Sequence, residues 1–148
     1  TNTYGPRQQI KNDRQGFVGI FIRQALQGEK IKVFGDGRQI RDFNYIDDVI
    51  DAILLAVSTE ECYGNFYNLG SVRKYSLIDF IDLLSKNIFV DYEIVPFPKS
   101  KKIIDIGDYY GSYLQFHNAT NWQPKVELSE GLKKTIQFYQ KYSEEYWK

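Results

Sequence analysis

Arg41 is the side chain best suited to bind a ligand in a sequence that otherwise offers little catalytic chemistry. It lies on a turn-rich corner, close to the glycines of Gly35-Asp36-Gly37, which leave the neighbouring backbone open. A guanidinium carries five N–H donors in a planar fork, and two of them match two oxygens of a phosphate. The setting therefore favours capture of a phosphate. The alternative is a structural role in which Asp42 pairs with Arg41, as most Arg/Asp neighbours do for packing or in solvent.

The elements around this corner follow from the hydrophobic pattern. Two short alternating runs, 32–34 and 40–43, flank the two glycines, which tolerate positive φ, so we expect a β-hairpin or another sharp reversal. Asp47 stands at the predicted N-cap of the next helix. Behind it, apolar residues recur at helical spacing and predict an amphipathic helix packed on a core: Val49, Ile50, Ile53, Leu54 and Val57.

The remaining chain alternates between short strands and amphipathic helices, which predicts an α/β fold. Strands are expected at residues 1–4, 65–70 and 92–95, and a first helix runs from Phe17 until Gly28 ends it. Ser76 and Asp79 have the spacing of a capping box at the start of another helix. Trp122 is expected in the core, and the closing helix has an apolar side formed by Leu128, Leu132, Ile136 and Tyr139.

Composition excludes several classes of function. The chain has 148 residues, 43% of them hydrophobic, with 19 basic and 19 acidic side chains, so no net field attracts nucleic acid or an anionic membrane. No apolar run has membrane-spanning length. One cysteine, Cys62, and one histidine, His117, leave no disulfide, zinc or redox motif, so we expect no metal and a reducing, cytoplasmic setting.

The chain lacks methionine and begins with Thr-Asn-Thr in a predicted strand, which suggests a piece of a longer gene product. It contains no internal repeat or convincing linker. We therefore treat residues 1–148 as one domain.

Three stretches together resemble a known family: NTYGPRQ, then VFGDGRQIRDFNYIDDVIDAILLA, then FYNLGS. They are similar to the C-terminal half of the extended short-chain dehydrogenases/reductases, the NAD-dependent nucleotide-sugar epimerases and dehydratases, and the similarity extends from Asn2 to about Tyr139. The resemblance implies a small mixed α/β substrate-binding domain, with the Rossmann domain largely absent from the chain. It also implies that residues 44–70 belong with that missing Rossmann sheet.

The resemblance assigns site residues by position. Those expected to bind substrate are Asn2, Phe17, Val18, Phe34, Arg41, Lys102 and Asp105, while Tyr4 and Pro6 are expected near the nicotinamide. Lys102 departs from the family, which has an arginine there, and a lysine lacks the fork. Other roles remain open for most of them: a turn for Asn2, core packing for the apolar residues, and a solvated face for the lysines.

The implied activity belongs to the parent protein. It is NAD-dependent epimerisation of a nucleotide-diphosphate sugar, by removal and return of a hydride at C4 of a UDP-hexose. The alternatives are a 4,6-dehydratase, a decarboxylase or a non-catalytic binding module. The sequence has no Gly-rich dinucleotide loop and no Tyr-x-x-x-Lys pair in a strand-to-helix framework. We therefore expect no catalytic residue in this chain, NAD bound mainly by the missing N-terminal domain, a homodimeric parent, and self-association of the inactive fragment.

Overall fold

The structure, a computed structural model, describes residues 2–12, 16–103 and 105–147. Its mixed helices and parallel strands confirm the expected α/β class. In chain order the elements are β1 (Asn2–Tyr4), α1 (Phe17–Gln27), β2 (Ile31–Phe34), β3 (Ile40–Arg41), β4 (Phe43–Tyr45), α2 (Ile46–Ser58), β5 (Tyr75–Ser76), α3 (Leu77–Ser85), β6 (Tyr92–Val95), α4 (Lys99–Lys102), α5 (Leu114–Thr120) and α6 (Leu128–Trp147). A 3-10 turn spans Glu60–Cys62.

The described strands form three separate pairs. β1 runs parallel to β4, with Asn2 opposite Phe43, and β2 runs parallel to β6, with Ile31 opposite Tyr92. β3 and β5 are antiparallel. Parallel partners need a long crossover between them, so each parallel pair joins distant parts of the chain.

The expected hairpin between β2 and β3 is wrong, although the reversal itself is present. Gly35 and Gly37 have φ angles of 80° and 71°, a left-handed backbone that glycine adopts without strain. The Gly37 carbonyl accepts a hydrogen bond from the Ile78 amide at 3.1 Å, which anchors the turn on the start of α3. With the turn anchored in this way, β3 pairs with β5 and β2 pairs with β6, so β2 and β3 do not pair with each other.

The main core lies where α1, α3 and α6 pack against the β1–β4 pair. Phe43 stacks on Phe80 with ring centroids 5.2 Å apart. The predicted apolar sides of these helices are confirmed, including the buried Leu128, Leu132, Ile136 and Tyr139 of α6. The capping box is also confirmed, since the Asp79 amide donates to Ser76 Oγ and the Ser76 amide donates to the Asp79 carboxylate. Trp122 is buried in a smaller second cluster.

Helix α2 differs from its prediction in two respects, its N-cap residue and the burial of its apolar side. It begins at Ile46, with Tyr45 as N-cap, so Asp47 lies in the first turn and does not cap the helix. Its apolar side is not packed on a core: Ile50, Ile53, Leu54 and Val57 are 46–65% exposed. A helix face of this kind favours burial against another surface. Self-association through it stays a prediction.

The predicted strand at 65–70 is also wrong. Strand structure depends on a ladder of backbone hydrogen bonds, and this segment pairs with no strand in the described part of the chain. None of the described helices combines the length and apolarity needed to cross a membrane.

Asp42, between β3 and β4, ties three segments of the chain together from a fully buried position. One carboxylate oxygen accepts from the amide and hydroxyl of Ser71 at 2.8 and 2.7 Å, and the other accepts from the Gly111 amide at 3.0 Å. Glycine is required at position 111 because a Cβ there would lie 2.6 Å from the Leu69 carbonyl oxygen and 2.9 Å from that Asp42 oxygen. The contacts fix the corner that carries Arg41 against two loops that are distant in sequence.

Replacing Asp42 should therefore destabilise the fold. In Asp42→Asn, an amide N–H group faces a backbone N–H donor, and we expect the free energy of unfolding to fall by about 2–3 kcal/mol in urea denaturation. The matched control is Asp51→Asn, because Asp51 is 51% exposed and pairs with the exposed Lys125. That control should change stability by about 0.5 kcal/mol or less. Equal effects of the two substitutions would contradict the structural role of Asp42.

Candidate functional site

A cavity of about 380 Å³ opens between α1, β2, the start of α3 and residues 97–105. Its lining combines aromatic and cationic side chains: Phe17, Ile20, Phe21, Gln24, Lys30, Lys32, Phe34, Gln39, Arg41, Leu77, Phe97, Lys101 and Asp105. Four of the residues expected to bind substrate are brought together here: Phe17, Phe34, Arg41 and Asp105.

Arg41 occupies one end of this lining, with its side chain only 11% exposed. Nη2 donates to Asp105 Oδ1 at 2.8 Å, and Nη1 donates to the carbonyls of Ile40, at 2.9 Å, and Gly107. The alternative in which Asp42 holds Arg41 is wrong, because the Asp42 carboxylate is bound to Ser71 and Gly111. Among the described residues, Nε and one N–H of Nη2 have no acceptor. Two donors of the fork are thus left for a ligand.

We call residues 99–110 the basic segment; Ile104 lies outside the described residues. The basic segment contributes Lys101 and Asp105 to the lining, and Lys101 Nζ lies 4.8 Å from the centroid of the Phe34 ring, a cation–π contact. Asp108 accepts from the Ile40 amide at 2.8 Å, so the segment is also bound to β3. Lys102 is exposed and does not line the cavity. The role assigned to Lys102 stays a prediction, and Lys101 is the lysine of the basic segment that lines the cavity.

The other end of the cavity is aromatic. Phe34 is the last residue of β2, and its ring centroid lies 5.7 Å from that of Phe97. An aromatic face of this kind can stack on a planar heterocycle. Phe17 also lines the cavity but packs against Phe43 and Phe80 of the core.

The other expected residues lie outside this cavity. Val18 is 2% exposed and belongs to the core. Asn2 donates through Nδ2 to the Asp42 carbonyl at 3.1 Å, so it is held beside the corner that carries Arg41. Tyr4 and Pro6 line a different cavity of about 460 Å³, between the end of β1 and the start of α2.

Tyr4 is a poor candidate for proton transfer. Its hydroxyl donates to the Leu128 carbonyl at 3.5 Å, and burial raises the pKa of the phenol well above its usual range. The phenol therefore stays neutral at physiological pH and acts as a fixed donor in the core.

The charges of the cavity favour an anion. Four cationic side chains, those of Lys30, Lys32, Arg41 and Lys101, line it with one carboxylate, that of Asp105, while Lys30 also pairs with Asp91 at 3.4 Å. A molecule with an aromatic ring for Phe34 and a phosphate for Arg41 matches the two ends. The described residues include no group of three metal-ligating side chains.

Sequence reasoning missed three residues of this lining that bear on binding. Lys101 has no pattern that distinguishes it from the neighbouring Lys99 and Lys102. Phe97 lies two residues after the end of β6, and the parallel pairing of β2 with β6 that brings it to the cavity has no local signal in the sequence. No sequence pattern marks Gln39 as a residue of the cavity. Its position two residues before Arg41 is the one signal that could have indicated it.

Comparisons with known proteins show what the chain is similar to. Residues 1–70 match the profile of the NAD dependent epimerase/dehydratase family. The chain is 31% identical over 138 residues to a putative UDP-glucose 4-epimerase of Methanocaldococcus jannaschii, covering 92% of this chain and 42% of the relative. It is also 31% identical to UDP-glucuronic acid decarboxylase 1 of Xenopus tropicalis, over 95% of this chain and 32% of the relative. The chain thus spans less than half the length of these curated relatives.

The fold is also similar to that of a solved structure. The crystal structure of UDP-glucose 4-epimerase from Thermotoga maritima, with UDP-glucose, matches with a TM-score of 0.84 and 33% identity. The match covers 96% of this chain and 44% of that one. The helices and strands described above are therefore arranged as in part of a larger enzyme.

The residues that the structure describes do not fit the pyrophosphate of a dinucleotide such as NAD. That group is held by a glycine-rich loop at a helix N-terminus. The element that follows Gly35-Asp36-Gly37 is the strand β3 and not a helix. We derive no catalytic step through NAD from these residues.

The contacts of Arg41 generate a prediction for the basic segment. In Arg41→Ala the segment loses its bonds at Asp105 and Gly107, so it should open more often. We expect the amides of Gly107 and Tyr109 to exchange with deuterium about tenfold faster. Arg38→Ala is the matched control, because Arg38 is an exposed arginine that does not line the cavity. Unchanged exchange in Arg41→Ala would show that Arg41 does not hold the segment.

Proposed function

We propose that this chain, a partial chain of the NAD dependent epimerase/dehydratase family, provides the nucleotide-diphosphate-binding wall of a nucleotide-sugar-modifying enzyme. The observation that carries the proposal is the cavity with an aromatic platform at Phe34 and a partly free guanidinium at Arg41. The base would stack on Phe34 and the diphosphate would meet Arg41. Lys101 would add a second positive charge between them.

Within this family we propose epimerisation at C4 of a UDP-hexose. The proposal is supported by the similarity to the Methanocaldococcus relative and to the Thermotoga enzyme with UDP-glucose. It also suits the distribution of binding groups. An epimerase must keep the sugar bound while the sugar turns, so the affinity has to come from the nucleotide and diphosphate. The cavity offers its charged and aromatic groups to those parts.

Decarboxylation of a UDP-glucuronic acid is the second candidate. It is favoured by the similarity to the Xenopus decarboxylase, which has the same identity of 31%. The two activities differ in the residues that meet the sugar. The cavity described here meets the nucleotide, and it serves both activities equally.

The remaining chemistry falls to residues beyond this chain in the proposed enzyme. NAD would be bound mainly there, and the chain by itself would be inactive. The exposed side of α2, with Ile50, Ile53, Leu54 and Val57, is a suitable surface for such a part. Residues 44–70, which include α2, would belong with the Rossmann sheet of that part.

Arg41→Ala tests the proposed role in the intact protein. Losing a charged hydrogen-bonding partner of the diphosphate should raise KM for UDP-glucose about 30-fold, or about 2 kcal/mol, with kcat changed much less. Arg38→Ala should leave KM within about twofold. Product analysis separates the candidate activities, since the epimerase yields UDP-galactose from UDP-glucose and the decarboxylase releases CO₂ from UDP-glucuronic acid. An unchanged KM in Arg41→Ala would contradict the assignment of the diphosphate to this arginine.

A further inference from the structure

Strand β6 leaves one of its two edges open. Among the described strands it pairs with β2 alone. The register places Ile31 opposite Tyr92, and the Ile31 amide donates to the Asp91 carbonyl at 2.9 Å. In a parallel ladder of this register, Tyr92 and Ile94 direct their N–H and C=O groups away from β2. These outward groups have no hydrogen-bond partner in the part of the chain that the structure describes.

The side chains at this edge add exposed apolar surface. Tyr92 and Ile94 lie opposite Ile31 and Val33, which are both 0% exposed. Paired residues point to the same face of a sheet, yet Tyr92 is 39% exposed and Ile94 is 54% exposed. The core therefore covers this face at β2 and leaves it open at β6. A strand added along β6 would cover the apolar face and satisfy the unpaired backbone together.

Glu93 gives the edge its charge. It lies between Tyr92 and Ile94 and points to the other face of the sheet. Lys32 is its cross-strand neighbour on β2, but no salt bridge joins the Glu93 carboxylate to a described residue. A lysine or arginine opposite Glu93 on an added strand would pair with this carboxylate.

The same charge disfavours a second copy of β6 as the added strand. In an antiparallel pairing centred on Glu93, the two Glu93 carboxylates lie opposite each other, and centring on Tyr92 places Glu93 opposite Asp91. Like charges in opposite positions destabilise a strand pair. Centring on Ile94 places Tyr92 opposite Pro96, which has no N–H to donate.

We propose that the open edge of β6 binds an extended segment of a partner protein by strand addition, and that this segment has a basic residue between two apolar residues. β2 has this pattern in Ile31-Lys32-Val33 and already pairs with the other edge of β6. The proposal goes beyond nucleotide binding, because none of residues 92–95 lines the cavity of the candidate site.

Fluorescence anisotropy of labelled peptides with the intact protein tests the proposal. One peptide copies residues 29–35, EKIKVFG, and the other is EKIEVFG, with glutamate in place of the lysine. The wild-type protein should bind EKIKVFG about fivefold more tightly, because only this peptide places a positive charge opposite Glu93. Glu93→Lys should reverse the preference. Glu60→Lys is the matched control, since Glu60 is an exposed carboxylate of the 3-10 turn, and it should keep the wild-type preference.

A second variant tests the backbone of the edge. Ile94→Pro removes an outward N–H group and keeps the ladder with β2, since edge strands tolerate proline where the N–H points away from the sheet. It should weaken both peptides at least about fivefold, the value of one hydrogen bond, with an unchanged thermal unfolding midpoint. If Ile94→Pro does not fold, the preference of Glu93→Lys decides the question.

Each contrary outcome overturns a stated part of the proposal. Absence of peptide binding by the wild-type protein, or a preference unchanged in Glu93→Lys, overturns strand addition of a basic segment at this edge. Wild-type dimers that Ile94→Pro dissociates in analytical ultracentrifugation would assign the edge to a second copy and overturn the choice of partner. None of these results bears on nucleotide binding.

Discussion

The burial of the Asp42 carboxylate is the constraint on which the candidate site depends. Asp42 lies between two short strands, where successive side chains point to opposite sides of the backbone. A buried carboxylate needs hydrogen-bond donors, and Ser71 and Gly111 supply them from the interior. With Asp42 directed inward, Arg41 is directed to the cavity on the other side. The same contacts hold the loops at 71 and 111 against the corner.

The Arg41–Asp105 pair has a second consequence for binding. The two side chains are only 11% and 23% exposed, so each charge needs the other in the absence of a ligand. A diphosphate that approaches Arg41 meets a guanidinium already fixed by Asp105 and by the carbonyls of Ile40 and Gly107. Little side-chain freedom is lost on binding, which favours affinity. The pair therefore both holds the basic segment and orients the fork.

Local patterns in the sequence predicted much of the fold. Helical spacing of apolar residues, the Ser76–Asp79 capping box and the glycine that ends α1 depend on neighbours within a few residues, and the structure contains each of them. The pairings of β2 with β6 and β3 with β5 depend on contacts across long loops, so local runs suggested a hairpin that does not form. In the site, residue type and turn context singled out Arg41. The position of Lys101 over Phe34 depends on a register that spacing alone could not fix.

The central claim is that this cavity receives a nucleoside diphosphate between Phe34 and Arg41. A crystal structure of the intact protein with UDP tests it most directly. The account predicts the uracil stacked on Phe34 and phosphate oxygens within about 3 Å of the Arg41 guanidinium, a hydrogen-bonding distance. UDP bound elsewhere, with no phosphate beside Arg41, would contradict the claim.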